Sequence, residues 1–141
     1  MFSSENREGR LVELRVVTPI TIEEIVELQK THVAVTQAVE GDYVVVVDFR
    51  HAHVFPPKIF EHFLAIMTQL NPRLQRSAIL INHSAVLGLQ AERAIQTAGH
   101  ADRQAFRDPR ALELWLSEVL SQSETARLRQ FLLEGAALSA S

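Results

Sequence analysis

The sequence predicts an α/β fold, with a mainly parallel four-stranded sheet, alternating helices and an extra C-terminal helix. Short β-branched segments alternate along the chain with longer segments of helical periodicity, a pattern typical of parallel sheets covered by helices. Residues 43–49 include four consecutive valines, which suit a strand that is buried on both faces. With 141 residues, of which 47% are hydrophobic, the chain has the size and composition of one globular domain.

The first ten residues are mostly polar and are interpreted as a polar leader, 1–10, that precedes the domain. In the next segment, 11–17, apolar residues at positions 12, 14 and 16 alternate with Glu13 and Arg15. This alternation predicts a half-exposed strand near the edge of the sheet.

A helix is expected to begin after Thr21, because Thr21 and Glu24 have the spacing of a capping box. Gly41 is expected to end it. Seven apolar residues fall within about half of the helical wheel and predict one broad buried side: Ile22, Ile25, Val26, Leu28, Val33, Val35 and Val39.

Residues 43–49 are predicted to form the central strand, followed by a loop over 50–55. Pro56 and Pro57 then indicate a helix start, because proline pre-sets φ and its missing N–H costs nothing in the first turn. The helix is expected to run over 58–70.

A second buried strand is predicted at 77–82, and Ser84 is expected to cap the helix that follows it. Gly99 lies where that helix needs a left-handed residue to end. A shorter strand is predicted at 103–107.

Two further helices complete the predicted fold. Asp108 and Pro109 start the first, whose apolar residues recur at 112, 115, 116, 119 and 120. The second has a narrow apolar stripe of Leu128, Phe131 and Leu132. Because so short a helix is marginal alone in water, it must dock on its own domain or on a second copy, which leaves a homodimer open.

Charge and composition disfavour several classes of partner. Seventeen acidic against fourteen basic residues give a net charge of −3, so no basic footprint for nucleic acid or an anionic membrane is visible. The chain has no cysteine, which excludes thiol chemistry. No segment approaches a membrane span, and the polar start lacks the apolar core of a signal peptide, so a cytoplasmic location is expected.

Polar side chains gather in the predicted loops at the carboxyl ends of the strands, where open α/β sheets bind ligands. His51, His53 and His83 could form a three-nitrogen zinc or nickel site, but histidines in polar loops are more often solvated, so no metal is predicted. Asp48 could be a general base or magnesium ligand, although capping of the loop is favoured. Ser84 and the adjacent His83 could act as a nucleophile and its base, but a role for Ser84 as the helix cap is favoured. No catalytic residue and no cofactor are therefore predicted.

Three stretches between residues 44 and 120 resemble a STAS-type domain, the fold of bacterial anti-sigma factor antagonists, and in particular its SpoIIAA-like offshoot. They are the strand that ends in Val47-Asp48-Phe49, the strand 78–82 with its Ser84-started helix, and the segment 106–116, which reads F-x-D-x-x-A-x-x-x-W-L. With the strand and helix at 11–39, the resemblance covers residues 11–120 and leaves 121–141 as a C-terminal helix and tail.

The resemblance implies a non-enzymatic regulatory module that binds another protein in a bacterial cytoplasm. In the signalling members, a kinase phosphorylates a serine at the helix start after the central strand. That place falls here on Pro56, Pro57, Lys58 and Ile59, which carry no hydroxyl group. The phosphoserine switch is therefore not expected, whereas the docking surface around the helix start remains available.

The candidate partner surface comprises His51, His53, Phe55, Pro57 and Lys58. Phe55 is either an exposed apolar anchor or a residue that packs beneath the helix. The alternative function is binding of a small apolar or anionic ligand, with three candidate residues at the same edge of the sheet: Arg50, His51 and His83.

Overall fold

The computed structural model describes residues 1–138, which form a five-stranded sheet and five α-helices. The strands are β1 (Phe2–Glu8), β2 (Leu11–Val16), β3 (Tyr43–Phe49), β4 (Leu74–Ile81) and β5 (Arg103–Phe106). The helices are α1 (Ile22–Gln37), α2 (Pro57–Leu70), α3 (Ala85–Ala98), α4 (Pro109–Ser117) and α5 (Gln122–Leu138).

The strands lie side by side in chain order, β1-β2-β3-β4-β5. Strands β2 to β5 are parallel, and β1 is antiparallel to β2. The α/β class is therefore confirmed, but the prediction of a mainly parallel four-stranded sheet is wrong, because the sheet is mixed and has a fifth strand.

The additional strand is β1, which lies within the predicted polar leader. It pairs with β2 along most of its length, with Ser4 opposite Leu14 and Glu5 opposite Glu13. Its sequence gave no strand signal because an edge strand is held by main-chain hydrogen bonds and needs few apolar residues on its exposed side. As a result β2 is an interior strand, and Glu13, expected to be solvated, is only 3% exposed.

The helices divide between the two faces of the sheet. Because β2 to β5 advance in one direction, crossovers of the usual right hand place α1, α2 and α3 on one face. There they pack on the odd-numbered side of β3, which includes Val45, Val47 and Phe49. Helices α4 and α5 cover the other face, where Val44 and Val46 lie. The run of valines in β3 is thus buried on both sides, as its pattern predicted.

Most of the local signals for helix ends are confirmed. The exception is Gly41, which does not end α1, because the helix already ends at Gln37 with Ala38 as its C-cap residue. The Thr21 and Glu24 side chains form both hydrogen bonds of the capping box at the start of α1. Ser84 and Asp108 cap α3 and α4, and Gly99 ends α3 with φ +79°. These features depend on residues a few positions apart, so they are readable without tertiary information.

The predicted buried side of α1 is partly wrong. Ile22 and Val26 are 41% and 36% exposed, although both belong to the expected apolar side. The face that meets the sheet instead carries four buried residues: Ile25, Leu28, His32 and Thr36. His32 and Thr36 are polar but occupy core positions. The hydrophobic pattern alone therefore predicted a buried face that is rotated about the helix axis from the observed one.

Candidate functional site

A row of charged side chains lies between the sheet and α5, close to the carboxyl ends of the strands. Arg15 and Asp48 are neighbours in register on β2 and β3. The row contains three carboxylates and three guanidinium groups, from Glu13, Arg15, Asp48, Arg50, Arg127 and Glu134. We call these six residues the charged row.

Asp48 is at the centre of the charged row and is fully buried. Its Oδ1 accepts hydrogen bonds from the Arg50 backbone N–H and from Arg50 Nε, each at 3.0 Å. Its Oδ2 accepts from Arg15 Nε at 3.0 Å and from Arg50 Nη2 at 3.1 Å. Both carboxylate oxygens are therefore fully engaged by arginine.

The pKa of Asp48 is lowered from its ordinary value. Burial by itself raises that pKa, but the hydrogen bonds and positive charges of Arg50, together with Arg15, outweigh it. Asp48 is consequently an ionised anchor for two arginines. The interpretation as a loop cap is favoured over a general base, because a base needs a carboxylate that is free to receive a proton.

Helix α5 covers the charged row with its own carbonyl groups. Arg15 Nη2 donates to the Phe131 carbonyl at 2.6 Å, and Arg50 Nη2 donates to the Leu132 carbonyl at 2.8 Å. His51 Nε2 lies 2.8 Å from the Gly135 carbonyl. A Cβ atom at Gly135 would come within 2.3 Å of Asp48 Oδ2, so glycine permits this close approach.

The second half of the charged row holds α5 to β2. Arg127 donates to both carboxylate oxygens of Glu13, at 2.8 and 2.7 Å, and its Nη2 also lies 2.9 Å from Glu134 Oε1. Glu13 faces Glu5 across the β1–β2 pair. Arg127 therefore supplies the positive charge that allows an acidic side chain to be buried there.

The candidate ligand residues do not form an open anion site. Arg50 and His51 do lie together, but beneath α5, where the carbonyls of Leu132 and Gly135 each contact one of their nitrogens. His83 is exposed in the loop before α3. Within residues 1–138, no group of three or more metal-ligating side chains is placed to hold an ion, so the three-histidine alternative is not formed.

The candidate partner residues fall into two groups. His53, Pro57 and Lys58 are exposed, as a contact surface requires. Phe55, however, is 3% exposed and packs between Phe49 and Phe63, with ring centroids 5.2 and 4.8 Å apart. The exposed-anchor interpretation of Phe55 is wrong, and the packing interpretation holds.

Exposed aliphatic side chains that the sequence did not single out lie in this loop and on the first turns of α3. Val54, Val86 and Leu89 are 46%, 52% and 71% exposed. The Gln90 side chain bonds both the N–H and the carbonyl of Phe55, which holds α3 against the loop. Val86 is one helical turn before Gln90, so it lies on the side of α3 that contacts the loop. Leu89 borders a surface groove whose other walls include Ala105 and Phe106 of β5. We call Val54, Val86 and Leu89 the carboxyl-edge patch.

On the opposite side of the sheet, His32 of α1 is buried against β1. It is 1% exposed, and its Nδ1 lies 2.6 Å from Ser4 Oγ. Burial lowers its pKa from 6.5 to about 4. The sequence signal that indicates this position is its spacing, since His32 follows Ile25 and Leu28 by seven and four residues.

Acidification is expected to destabilise the protein through His32. Because its folded pKa lies below the unfolded value, stability is full above about pH 6.5 and is lost as pH falls toward 4. Between pH 7 and pH 5 the loss is about 2 kcal/mol. Urea denaturation at both pH values measures it.

His32→Gln is the matched control, because it removes the titrating group but keeps a polar side chain of similar size. The carboxyl groups of Asp48 and Glu124, whose pKa values are lowered, lose their contribution only below their ordinary values, outside this window. An equal loss of stability in His32→Gln and in the native chain would contradict the assignment to His32.

Comparison with known proteins identifies no relative: no family model, no curated protein and no solved structure matches the chain. The resemblance to STAS-type domains therefore rests on the sequence stretches described above. Within residues 1–138, none of the helices has the length and apolar content that spanning a membrane requires.

Proposed function

We propose that this chain is a non-enzymatic protein-interaction module of STAS-like type that binds its partner through the carboxyl-edge patch. The observation that carries the proposal is the exposure of Val54, Val86 and Leu89 beside the polar residues of the loop. Groups of exposed aliphatic side chains that are rimmed by polar residues occur at protein contact surfaces more often than elsewhere on a protein's surface.

The loop that carries the patch is held in place before any partner binds. Asn82 Nδ2 donates to the carbonyls of Arg50 and Ala52, at 3.2 and 2.9 Å. With the two Gln90 bonds to Phe55, these contacts fix both ends of the loop. A pre-ordered contact surface loses less conformational entropy on binding, which favours affinity.

The rim of the patch indicates the chemistry of the partner. Lys58 and His53 are exposed beside it, and α2 begins there at Pro57 with no side chain capping its N-terminus. The Lys58 ammonium group and a helix N-terminus attract negative charge. The proposed partner segment is therefore apolar at its centre and acidic at its margin.

This binding does not use the phosphoserine of signalling STAS domains. The helix start that would carry it has Pro56 as its N-cap residue and Pro57 as its first helical residue. Neither residue has a hydroxyl group to accept a phosphate. Recognition of the partner therefore depends on the apolar patch and its polar rim, without phosphorylation.

The test compares a double variant of the patch with a single control variant and with the native chain. Val54→Asp/Leu89→Asp places charge on the patch, whereas Leu114→Asp alters another exposed leucine, on α4 at the other face of the sheet. Each protein is used to enrich binding partners from lysate of the source organism, with quantitative mass spectrometry. We expect partners bound by the native chain to fall at least tenfold for the patch variant and to persist for Leu114→Asp. Identical partner profiles for all three proteins would refute the proposal.

A further inference from the structure

A surface groove of about 370 Å³ lies between α3 and the edge strand β5. Most of the residues that line it are apolar or small, among them Ala85, Gly88 and Leu89 of α3 and Ala105 of β5. Leu89 also belongs to the carboxyl-edge patch, so the patch and the groove adjoin. The volume falls within the range of about 300–1,000 Å³ that is typical of ligand sites. The groove therefore has room for side chains of a bound molecule.

The strand beside the groove has main-chain groups that face away from the sheet. Among residues 1–138, β5 pairs with β4 alone. The Ser77 N–H of β4 donates to the Asp102 carbonyl, and Ser77 is opposite Arg103 in the parallel register. This pattern directs the main-chain groups of Gln104 toward β4 and those of Arg103 and Ala105 away from it. The N–H and carbonyl of Ala105 are therefore available to another extended chain.

The two edges of the sheet differ in how well they resist pairing with another strand. At one edge, β1 carries Glu5, Arg7 and Glu8, and its register shifts between Glu5 and Glu8. Charged side chains and an irregular register keep an edge strand from pairing further. At the other edge, β5 has a regular register from Arg103 to Phe106 and contains no proline. Strand addition is therefore expected at β5 rather than at β1.

The charged residues of the groove determine which chain fits there. The Arg107 guanidinium lies against the backbone of Gly88, and within residues 1–138 it forms no ion pair. Glu92, one helical turn after Gly88, is the one carboxylate among the residues that line the groove. An acidic side chain is thus favoured beside Arg107 and disfavoured beside Glu92.

A second copy of this chain fits the edge less well than a different protein does. In an antiparallel pair of β5 strands centred on Ala105, Arg103 of each strand would be opposite Arg107 of the other. Like charges that are directly opposite each other destabilise a strand pair. An extended segment with an acidic residue for Arg107 avoids this repulsion.

We propose that the partner of the carboxyl-edge patch binds with an extended segment that adds to β5 as a sixth strand. Its main chain exchanges hydrogen bonds with Ala105. Alternate side chains enter the groove, with apolar ones against Ala85 and Leu89 and an acidic one beside Arg107. In strand addition the main chain supplies affinity and the alternate side chains supply specificity. The inference rests on the proposed function, since it states how that partner binds.

Synthetic peptides test the strand geometry on the native chain. A library of random linear peptides is selected for binding, and the tightest binder is remade with one N-methyl group at each main-chain nitrogen in turn. Alternate residues of a strand face the neighbouring strand. We therefore expect N-methylation to weaken binding about tenfold or more at every second position of the paired segment, and less than about twofold in between. Fluorescence anisotropy measures the affinities.

Variants of the protein locate the bound peptide. Ala105→Pro removes the outward N–H, which β4 does not use, whereas Ala105→Val keeps it. We expect the first to weaken the tightest binder about tenfold or more and the second less than about twofold. Arg107→Glu should weaken the same peptide, and a lysine in place of the peptide's acidic residue should restore binding. If Ala105→Pro fails to fold, the N-methyl series decides, because it leaves the protein unchanged.

Full binding to Ala105→Pro, no alternation in the N-methyl series, or a library that yields no binder would each overturn the proposal. A native dimer that Ala105→Pro dissociates would also overturn it, since the edge would then belong to a second copy. The proposed function is distinguished by its own variant. Lysate partners that Val54→Asp/Leu89→Asp loses and Ala105→Pro keeps would refute strand addition alone, whereas partners that both variants keep would refute the proposed function as well.

Discussion

Replacement of Asp48 by alanine is expected to lower the free energy of unfolding by about 3–5 kcal/mol, because it leaves two partly buried arginines without their anion. The Arg15 and Arg50 side chains are 13% and 16% exposed, so water replaces the lost carboxylate poorly. The same arginines donate to carbonyls of α5, so the end of that helix should loosen as well. Urea denaturation measures the loss, and hydrogen exchange locates it.

Glu118→Ala is the control for this variant. Glu118 pairs with Arg76, but its side chain is 62% exposed, so its removal should cost less than about 1 kcal/mol. If Asp48→Ala proves too unstable to purify, Asp48→Asn keeps the shape and one acceptor oxygen and should show a smaller loss in the same direction. Equal losses for Asp48→Ala and Glu118→Ala would show that the charged row contributes little to stability.

Phe131→Ala is expected to destabilise the protein by about 3–5 kcal/mol, since it opens a cavity in the core beneath α5. Phe131 is 2% exposed and packs in the cluster that includes Leu11, Val44 and Leu112. The Arg15 guanidinium lies 4.1 Å from the centre of its ring, a contact that the substitution also removes. Thermal and urea denaturation give the size of the effect.

The same variant tests whether α5 docks on its own sheet or on a second copy of the chain. Leu133, two residues along the helix, is 59% exposed, so Leu133→Ala should change the free energy of unfolding by less than about 0.5 kcal/mol. Because α5 docks on its own sheet, the melting temperature of either protein should not depend on protein concentration. A concentration-dependent melting temperature that Leu133→Ala abolishes would favour the homodimer instead.

Much of the fold could be predicted from short stretches of sequence. The valines of β3, the prolines before α2 and the apolar stripe of α5 each indicated the right element. These signals depend on residues within a few turns or positions of one another.

The candidate site could not be predicted in the same way. The exposed and the packed interpretations of Phe55 had equal weight, because the residues next to it in the sequence are the same in both cases.

The burial of polar residues separates what sequence patterns determine from what the tertiary structure decides. By itself the sequence determined the α/β class, the order of helices after β2 and the residues that cap them, because caps and periodicity are local. Only the tertiary structure decided that β1 joins the sheet and that Glu13, Asp48 and His32 are buried. A charged or polar side chain can be buried where a partner offsets the cost of removing it from water, and that partner can be remote in sequence. Arg127 is 114 residues from Glu13, a separation that no local pattern encodes.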